Sequence, residues 1–230
     1  MKFSRDTIAV LKNFSSIYSG IMLKPGNTIL TRSVTGASYG EAEINDTIDI
    51  EAAIYDLNGF LGILGLVGDN AEVTMSSDKT TLVIKDQRST IQWSAADPST
   101  IVFPNKKIPF PVATVIFDLK GEDLQQLMRV SRGLQIDTLA ITNKDGKIVI
   151  NGYNQLQDKE LTRPLYTLVV GDYNETANFN FIINMGNMKM VPADYRVLLW
   201  AKGDKFATKF EGTQASYVIA MEAGSSHEFQ

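Results

Sequence analysis

The sequence predicts an α+β protein made of two similar domains with mostly antiparallel strands. Two observations carry this expectation. The order helix, strands, helix, strands runs through the 230 residues twice, at a spacing of roughly 115 residues. Between the two runs, ADPSTIVFPNKKIPFPVAT holds four of the seven prolines, Pro98, Pro104, Pro109 and Pro111. Proline removes backbone donors and stiffens an extended chain, so this segment reads as a connector. The expected limits are an N-terminal domain at 1–105, a connector at 106–115 and a C-terminal domain at 116–230.

In the first half, residues 4 to 17 have a helical period. Thr7, Leu11, Phe14 and Tyr18 fall on one stripe, with Ser4 or Asp6 to cap the start. GIMLKPGNTILTRSVTG follows as two extended runs, with Pro25-Gly26-Asn27 as a hairpin signal. Alternating strands in YGEAEINDTIDIEAAI come next. A second helix, YDLNGFLGILGLV, has Asp56 or Asn58 near its start. AEVTMSSDKTTLVIKDQRSTIQWSA then supplies further strands across a Ser-Ser-Asp-Lys turn.

In the second half, the helix GEDLQQLMRVSRGL ends at a turn containing Gly133. The hairpin DTLAITNKDGKIVINGYN turns at Lys144-Asp145-Gly146, followed by the strands PLYTLVVGD and NFNFIIN. MGNMKM is a short helical candidate closed by Pro192. YRVLLWAKGD, TKFEG and ASYVIAMEA are the final strands. The repeat lies in element order, with little residue identity between the halves.

Composition narrows the chemistry. Forty-four per cent apolar and 21% charged residues describe a globular chain able to bury a core. A balance of 22 Lys+Arg against 26 Asp+Glu, net −4, excludes a polycationic nucleic-acid coat protein. The chain has no cysteine, which excludes disulfides, thiolate metal sites and cysteine nucleophiles. His227 is the only histidine, which removes His-based metal sites and argues against a catalytic triad. The segment MKFSRDTIAVLKNFSSI carries charges within its apolar stretch, unlike a signal peptide, and no window is long and apolar enough to span a membrane. The acids Glu41, Glu43, Asp46 and Asp49 alternate as on a solvated sheet face, and spacing singles out no acid–base pair. Trp93 and Trp200, late in strands, suit a core. No catalysis, metal or cofactor is expected.

The helix faces say more. At about 100° per residue, Arg5, Ala9, Lys12 and Ser16 share a stripe opposite Leu11 and Phe14. Gln125, Arg129 and Arg132 share another, opposite Leu124, Leu127 and Ser131, while Glu122 and Asp123 sit at the favourable helix start. An acidic chain thus presents basic faces on matching helices; a plain solvated face is the alternative. In the second helix, Leu57, Phe60, Leu61 and Leu64 form a core stripe, and Asn58, Gly59, Gly62 and Gly65 cover much of the other side. Each glycine costs about 1 kcal/mol against alanine in a helix interior. Either close backbone packing or a bare face beside a bulky partner offsets that cost, and no phosphate-loop pattern is present.

The strings IYDLNGFLGILGLV, AADPSTIVFPNK, EDLQQLMRVSRGLQIDT, GKIVINGYN and FNFIINMGNMKM resemble the sliding clamps of T-even-type bacteriophages, the DNA polymerase processivity factors. The likeness runs from MKFSRDT to SSHEF. It departs at Arg5, where the family pattern has lysine, and at Gln230, which follows the expected terminal Phe. The resemblance implies the DNA-clamp fold, in a homotrimeric ring with antiparallel sheets outside and helices lining a central hole. It further implies sequence-independent contact with double-stranded DNA through Lys2, Arg5, Lys12, Gln125, Arg129, Arg132 and Lys189, the last from the short helix.

The resemblance also implies partners: the DNA polymerase, the clamp-loader ATPase complex, and a late-transcription sigma factor with its co-activator, in the cytoplasm of an infected bacterial host. Their dock is expected at Tyr39, in the loop after the first hairpin, at Ile108, Pro109 and Phe110 of the connector, and at Met221 in the last strand. Ile108 and Phe110 alternate with prolines, so an extended segment presents both on one side. Subunits are expected to join with Ile91 and Trp93 opposite Leu165 and Thr167, and Pro164 suits the start of an edge strand. Two other classes stand beside this reading. One is a β-rich scaffold or interaction module without DNA contact, told apart by its mass in solution. The other is a hydrolase using the strand carboxylates, told apart by a raised carboxyl pKa.

Overall fold

Residues 1–68 and 70–229 are described by a computed structural model of the chain, in two units, Met1–Ile108 and Pro109–Gln230. Gln230 itself lies outside the described residues.

In the first unit, α1 (Arg5–Ile17) is followed by β1 (Ile21–Leu23), β2 (Gly26–Arg32), β3 (Ser38–Ile48) and β4 (Ala52–Ile54). Then come α2 (Leu57–Val67), β5 (Glu72–Met75), β6 (Thr81–Lys85), β7 (Thr90–Ser94) and a 3-10 turn at Pro98–Thr100. Ser4 caps α1 by accepting from the Thr7 N–H at 3.3 Å. Thr7, Val10, Leu11, Phe14 and Ile17, three or four apart, form its buried face. Asp56 caps α2, accepting from the Gly59 N–H at 3.0 Å.

The strands form antiparallel pairs β1–β4 and β2–β3 and the sheet β5-β6-β7. The hairpin expected at Pro25-Gly26-Asn27 is corrected: β1 pairs with β4, Met22 opposite Ala53, and β2 pairs with β3. Gly26 opens β2 at φ 125°, a conformation that favours glycine, so the Pro-Gly pair starts a strand rather than closing a hairpin. Phe14, Ile54, Leu57, Phe60, Val73, Leu82 and Ile84 have no exposure and form the centre of this unit's core. Burial of each stabilises the fold by roughly 2 kcal/mol.

The second unit runs β8 (Val115–Leu119), α3 (Gly121–Leu134), β9 (Thr138–Lys144), β10 (Lys147–Tyr153), β11 (Tyr166–Asp172) and β12 (Phe179–Asn184). A 3-10 turn at Met185–Asn187 precedes β13 (Tyr195–Lys202), β14 (Lys205–Glu211), β15 (Ser216–Ile219) and β16 (Ser226–His227). One antiparallel sheet has the order β11-β10-β9-β12-β16, and β15, β14, β13 and β8 are neighbours in another. The β9–β10 turn falls where its residues predict, with Asp145 at φ 51° and Gly146 at φ 72°.

α3 ends at Gln135, in the left-handed region at φ 54°, with Gly133 inside the helix rather than at its turn. Its start is tied down by the residue just before β13, because the Gly121 N–H donates to Asp194 at 2.8 Å. A side chain at Gly121 would meet the Ala193 backbone at 2.9 Å, so this approach needs glycine. The expected helix in MGNMKM is corrected to a single 3-10 turn, with Asn184 accepting from the Gly186 N–H at 2.8 Å. Asparagine and glycine favour such local turns over a helix this short, where nucleation is costly.

Candidate nucleic-acid interface and edge strands

The two long amphipathic helices carry the expected basic residues on their exposed faces. On α1, Arg5, Ala9, Lys12 and Ser16 are exposed while Leu11 and Phe14 are buried; Lys2 is exposed just before the helix. On α3, Gln125, Arg129 and Arg132 are exposed, while Leu124, Leu127 and Ser131 are buried. Arg129 is oriented by its own helix: Nη2 donates to Gln125 Oε1 at 3.2 Å and Nε to the Gln125 carbonyl at 3.4 Å. Lys189 is exposed but follows the 3-10 turn, so its expected place on a short helix is corrected.

Carboxylates far away in sequence fix both helices. The Ser4 N–H donates to Asp46 at 2.6 Å from β3. Partial burial pushes the Asp46 carboxyl up, but hydrogen bonds from the Thr7 hydroxyl and from Ser4 outweigh it and hold the group below the ordinary carboxylate range. The Gly121 N–H, with Lys120 beside it, likewise holds Asp194 low. Asp46, expected on a solvated sheet face, is instead a helix anchor, as is Asp194. Nothing local marks either as a helix anchor, since the partners lie 42 and 73 residues away.

α2 resolves its glycine question differently at different positions. A Cβ at Gly59 would run first into the Asp56 carboxylate that caps the helix and would also lie 2.9 Å from Trp93, so a side chain there would disturb both. Trp93 also meets Phe60 edge-on, ring centroids 5.9 Å apart. Gly62 and Gly65 face open space within the chain, leaving that side of the helix bare beside Leu66, which is 81% exposed. The Ser15 hydroxyl donates to Asn58 at 2.7 Å and ties α2 to α1.

β7 and β11 are among the edge strands, which have one ladder partner each among the described residues. β7 pairs only with β6, and β11 only with β10. Ile91 and Trp93 are half-buried on β7; Thr167 is exposed on β11, as is Val169. Leu165 stands just before β11 rather than within it, 43% exposed, its N–H donating to the Gly152 carbonyl at 2.8 Å.

The expected docking residues differ in setting. Tyr39 lies in β3 rather than in a loop, and it is buried. Its hydroxyl donates to Glu41 at 2.9 Å and accepts from the Ile108 N–H; burial, reinforced by Glu41, pushes its ionisation far up. Strand alternation puts Tyr39 on the Glu41 and Glu43 side of β3, away from Ala42 and Ile44, and it is buried there because Ile108 and the Lys107–Glu43 pair lie over that face, against the loop reading of the hairpin. Ile108 is 43% exposed, and the Lys107 ammonium pairs with Glu43. Lys24 sits 5.1 Å over the Phe103 ring and reaches Asn105 at 3.4 Å. Residues 103–108 are thus strapped to the first unit, beside a pocket of about 210 Å³ whose apolar lining includes Met22, Leu30 and Pro104. In the second unit, Pro109 is exposed and Phe110 half-buried. Met221 lies beyond β15 and is half-buried, so its expected place in the last strand is corrected; the next residue, Glu222, donates its N–H to the Ile182 carbonyl of β12.

Among the described residues, no group of three or more His, Asp or Glu side chains is placed to hold a metal, and no helix is long and apolar enough to cross a membrane.

Residues 4–103 match the family described as DNA polymerase processivity factor, and residues 116–223 the family described as gp45 sliding clamp, C terminal. The sliding clamp of Escherichia phage RB69 is 63% identical over 229 residues, and that of Enterobacteria phage T4 is 62% identical over 229 residues; each match covers 100% of both chains. Among solved structures, the proliferating cellular nuclear antigen of Entamoeba histolytica superposes with a TM-score of 0.65 at 9% identity, covering 94% of each chain. At that identity the likeness speaks for the fold alone.

Proposed function

Because the chain belongs to the sliding-clamp family of DNA polymerase processivity factors, a non-catalytic family, we propose that three copies close into a ring around duplex DNA and tether the replicative polymerase. The observation that carries this reading is the pair of basic stripes, Arg5 and Lys12 on α1 and Arg129 and Arg132 on α3, exposed in a chain of net charge −4. In the ring these faces line the hole, with Lys2, Gln125 and Lys189 adding to them. They touch phosphates rather than base edges, since a ring that slides needs a sequence-blind potential. Long residence on DNA then comes from topological enclosure, and the acidic remainder repels DNA from the outer surface.

The subunit junction continues the antiparallel pattern of both sheets. β7 of one copy pairs antiparallel with β11 of the next, setting Ile91 opposite Thr167 and Trp93 opposite Leu165. The single-partner edges of β7 and β11 support this, because an unpaired edge is a template for another strand.

Residues 106–115 serve as the connector between domains 1–105 and 116–230. Ile108, Pro109 and Phe110, with Tyr39 supporting Ile108 from beneath and Met221 near the last strand, form the dock for the polymerase. The clamp-loader ATPase complex, the late-transcription sigma factor and its co-activator use the same dock, in the cytoplasm of the infected bacterium. Each brings a short C-terminal peptide with an apolar anchor, weak alone and strengthened by the ring's three sites.

Light scattering tests the assembly. A mass of three times 25.4 kDa at high protein concentration supports it, and a monomer throughout refutes it.

A further inference from the structure

We propose that Leu156 of one copy seats in an apolar cleft of the next copy, forming a second contact beside the β7–β11 junction; this rests on the ring reading above. Leu156 lies in the connection between β10 and β11 and is 88% exposed. The loop that presents it is built by side chains. Asn154, itself buried, accepts from the N–H groups of Leu156 at 3.1 Å and Gln157 at 3.2 Å. Asp158 accepts from the Arg163 N–H at 2.6 Å, and Asp137 from the Gln155 N–H at 2.9 Å. A loop fixed this way loses little freedom on docking, so a leucine at its tip is a pre-organised anchor.

The receiving cleft is in the first unit, about 310 Å³, with Met22, Ala53, Met75 and Ala96 on its walls and Glu51 and Lys79 at its rim. Strand registers decide that knob and cleft meet. Met75 ends β5 opposite Leu82, and Ser94 ends β7 opposite Thr81, so the cleft lies where β7 ends. Tyr166 starts β11 opposite Gly152, so the Leu156 loop lies where β11 begins. Antiparallel pairing of β7 with β11 sets the end of one beside the start of the other, and therefore the loop beside the cleft. A parallel pairing would send them to opposite ends. The rim charges of the cleft face Lys159 and Glu160, which follow Leu156 and supply the opposite signs.

The test uses the full chain, whose lack of cysteine makes introduced thiols unique. Leu156→Asp, at a site exposed in the single chain, should raise the trimer dissociation midpoint at least about tenfold, as expected for losing one buried leucine. A Leu156→Cys, Glu51→Cys double variant treated with a short bismaleimide should give covalent dimers and trimers, while either single variant should not. An unchanged midpoint in Leu156→Asp, with the trimer intact, overturns this inference and leaves the ring standing. Absence of any trimer in the unaltered protein overturns both.

Discussion

Gln125 holds Arg129 from one helical turn away, its side-chain oxygen accepting from Nη2 at 3.2 Å and its carbonyl facing Nε at 3.4 Å. The guanidinium is therefore aimed along the exposed face of α3 before any phosphate arrives, in line with Arg132. Two kinds of variant separate charge from aim. Arg129→Ala and Arg132→Ala should each weaken DNA retention and reduce the salt slope by roughly one unit per lost phosphate contact. Gln125→Ala keeps both charges, so it should lower affinity less and leave the slope unchanged. Titrations of DNA binding at several salt concentrations distinguish these outcomes, and equal slopes in all variants would remove α3 from the interface.

If β7 joins the next copy, Trp93 should report the junction. It is half-buried on a strand with one ladder partner, and Phe60 supports it at 5.9 Å. In a Trp200→Phe background, its emission should shift to the blue as protein concentration rises through the association range. Leu165→Lys should delay that shift by placing a charge opposite the indole. An emission independent of concentration while the mass changes would mean that β7 is not at the junction.

The connector makes a separate prediction. Ile108 is tied through its N–H to the buried Tyr39, and Phe110 is half-buried. Phe110→Ala should weaken binding of a polymerase C-terminal peptide by roughly 1 kcal/mol or more, with little change in melting temperature. Tyr39→Phe removes the hydroxyl that accepts from Ile108 and should weaken the same peptide less, by loosening its support. A loss of stability with peptide affinity intact would assign Phe110 to the core instead.

Asp46 links stability to pH. Its carboxyl is held below the unfolded value of 3.8 by Thr7 and Ser4. A depressed folded pKa contributes stability that is present above the unfolded value and is lost as pH falls through the folded one. Asp46→Asn should therefore lower the melting temperature at neutral pH and converge with the unaltered protein in acid below that value. Thermal melts across pH 2 to about 7 measure the convergence, and a constant difference between the two proteins would show that Asp46 acts by packing alone.

Much of this was legible in the sequence where the signal is local. The period of α1 and α3 marked their buried faces, and Asp145-Gly146 marked a turn that both residues make with positive φ. What was not legible depends on distant partners. β1 pairs with β4 rather than with its neighbour, and the Ser4 cap leans on Asp46. Tyr39 has no local mark of burial, because it is covered by Ile108 from far along the chain. The bare faces of Gly62 and Gly65 and the crowded Gly59 share one sequence pattern, and the positions of the Asp56 cap and of Trp93 separate them.

In the ring reading, the protein stays on DNA by encircling it. The most direct measurement is retention on a nicked circular plasmid, at a salt concentration that abolishes simple electrostatic binding, before and after a restriction enzyme cuts the circle once. The ring predicts that loaded protein persists on the circle and is lost when the ends are opened. Equal retention on circular and linear DNA would contradict it.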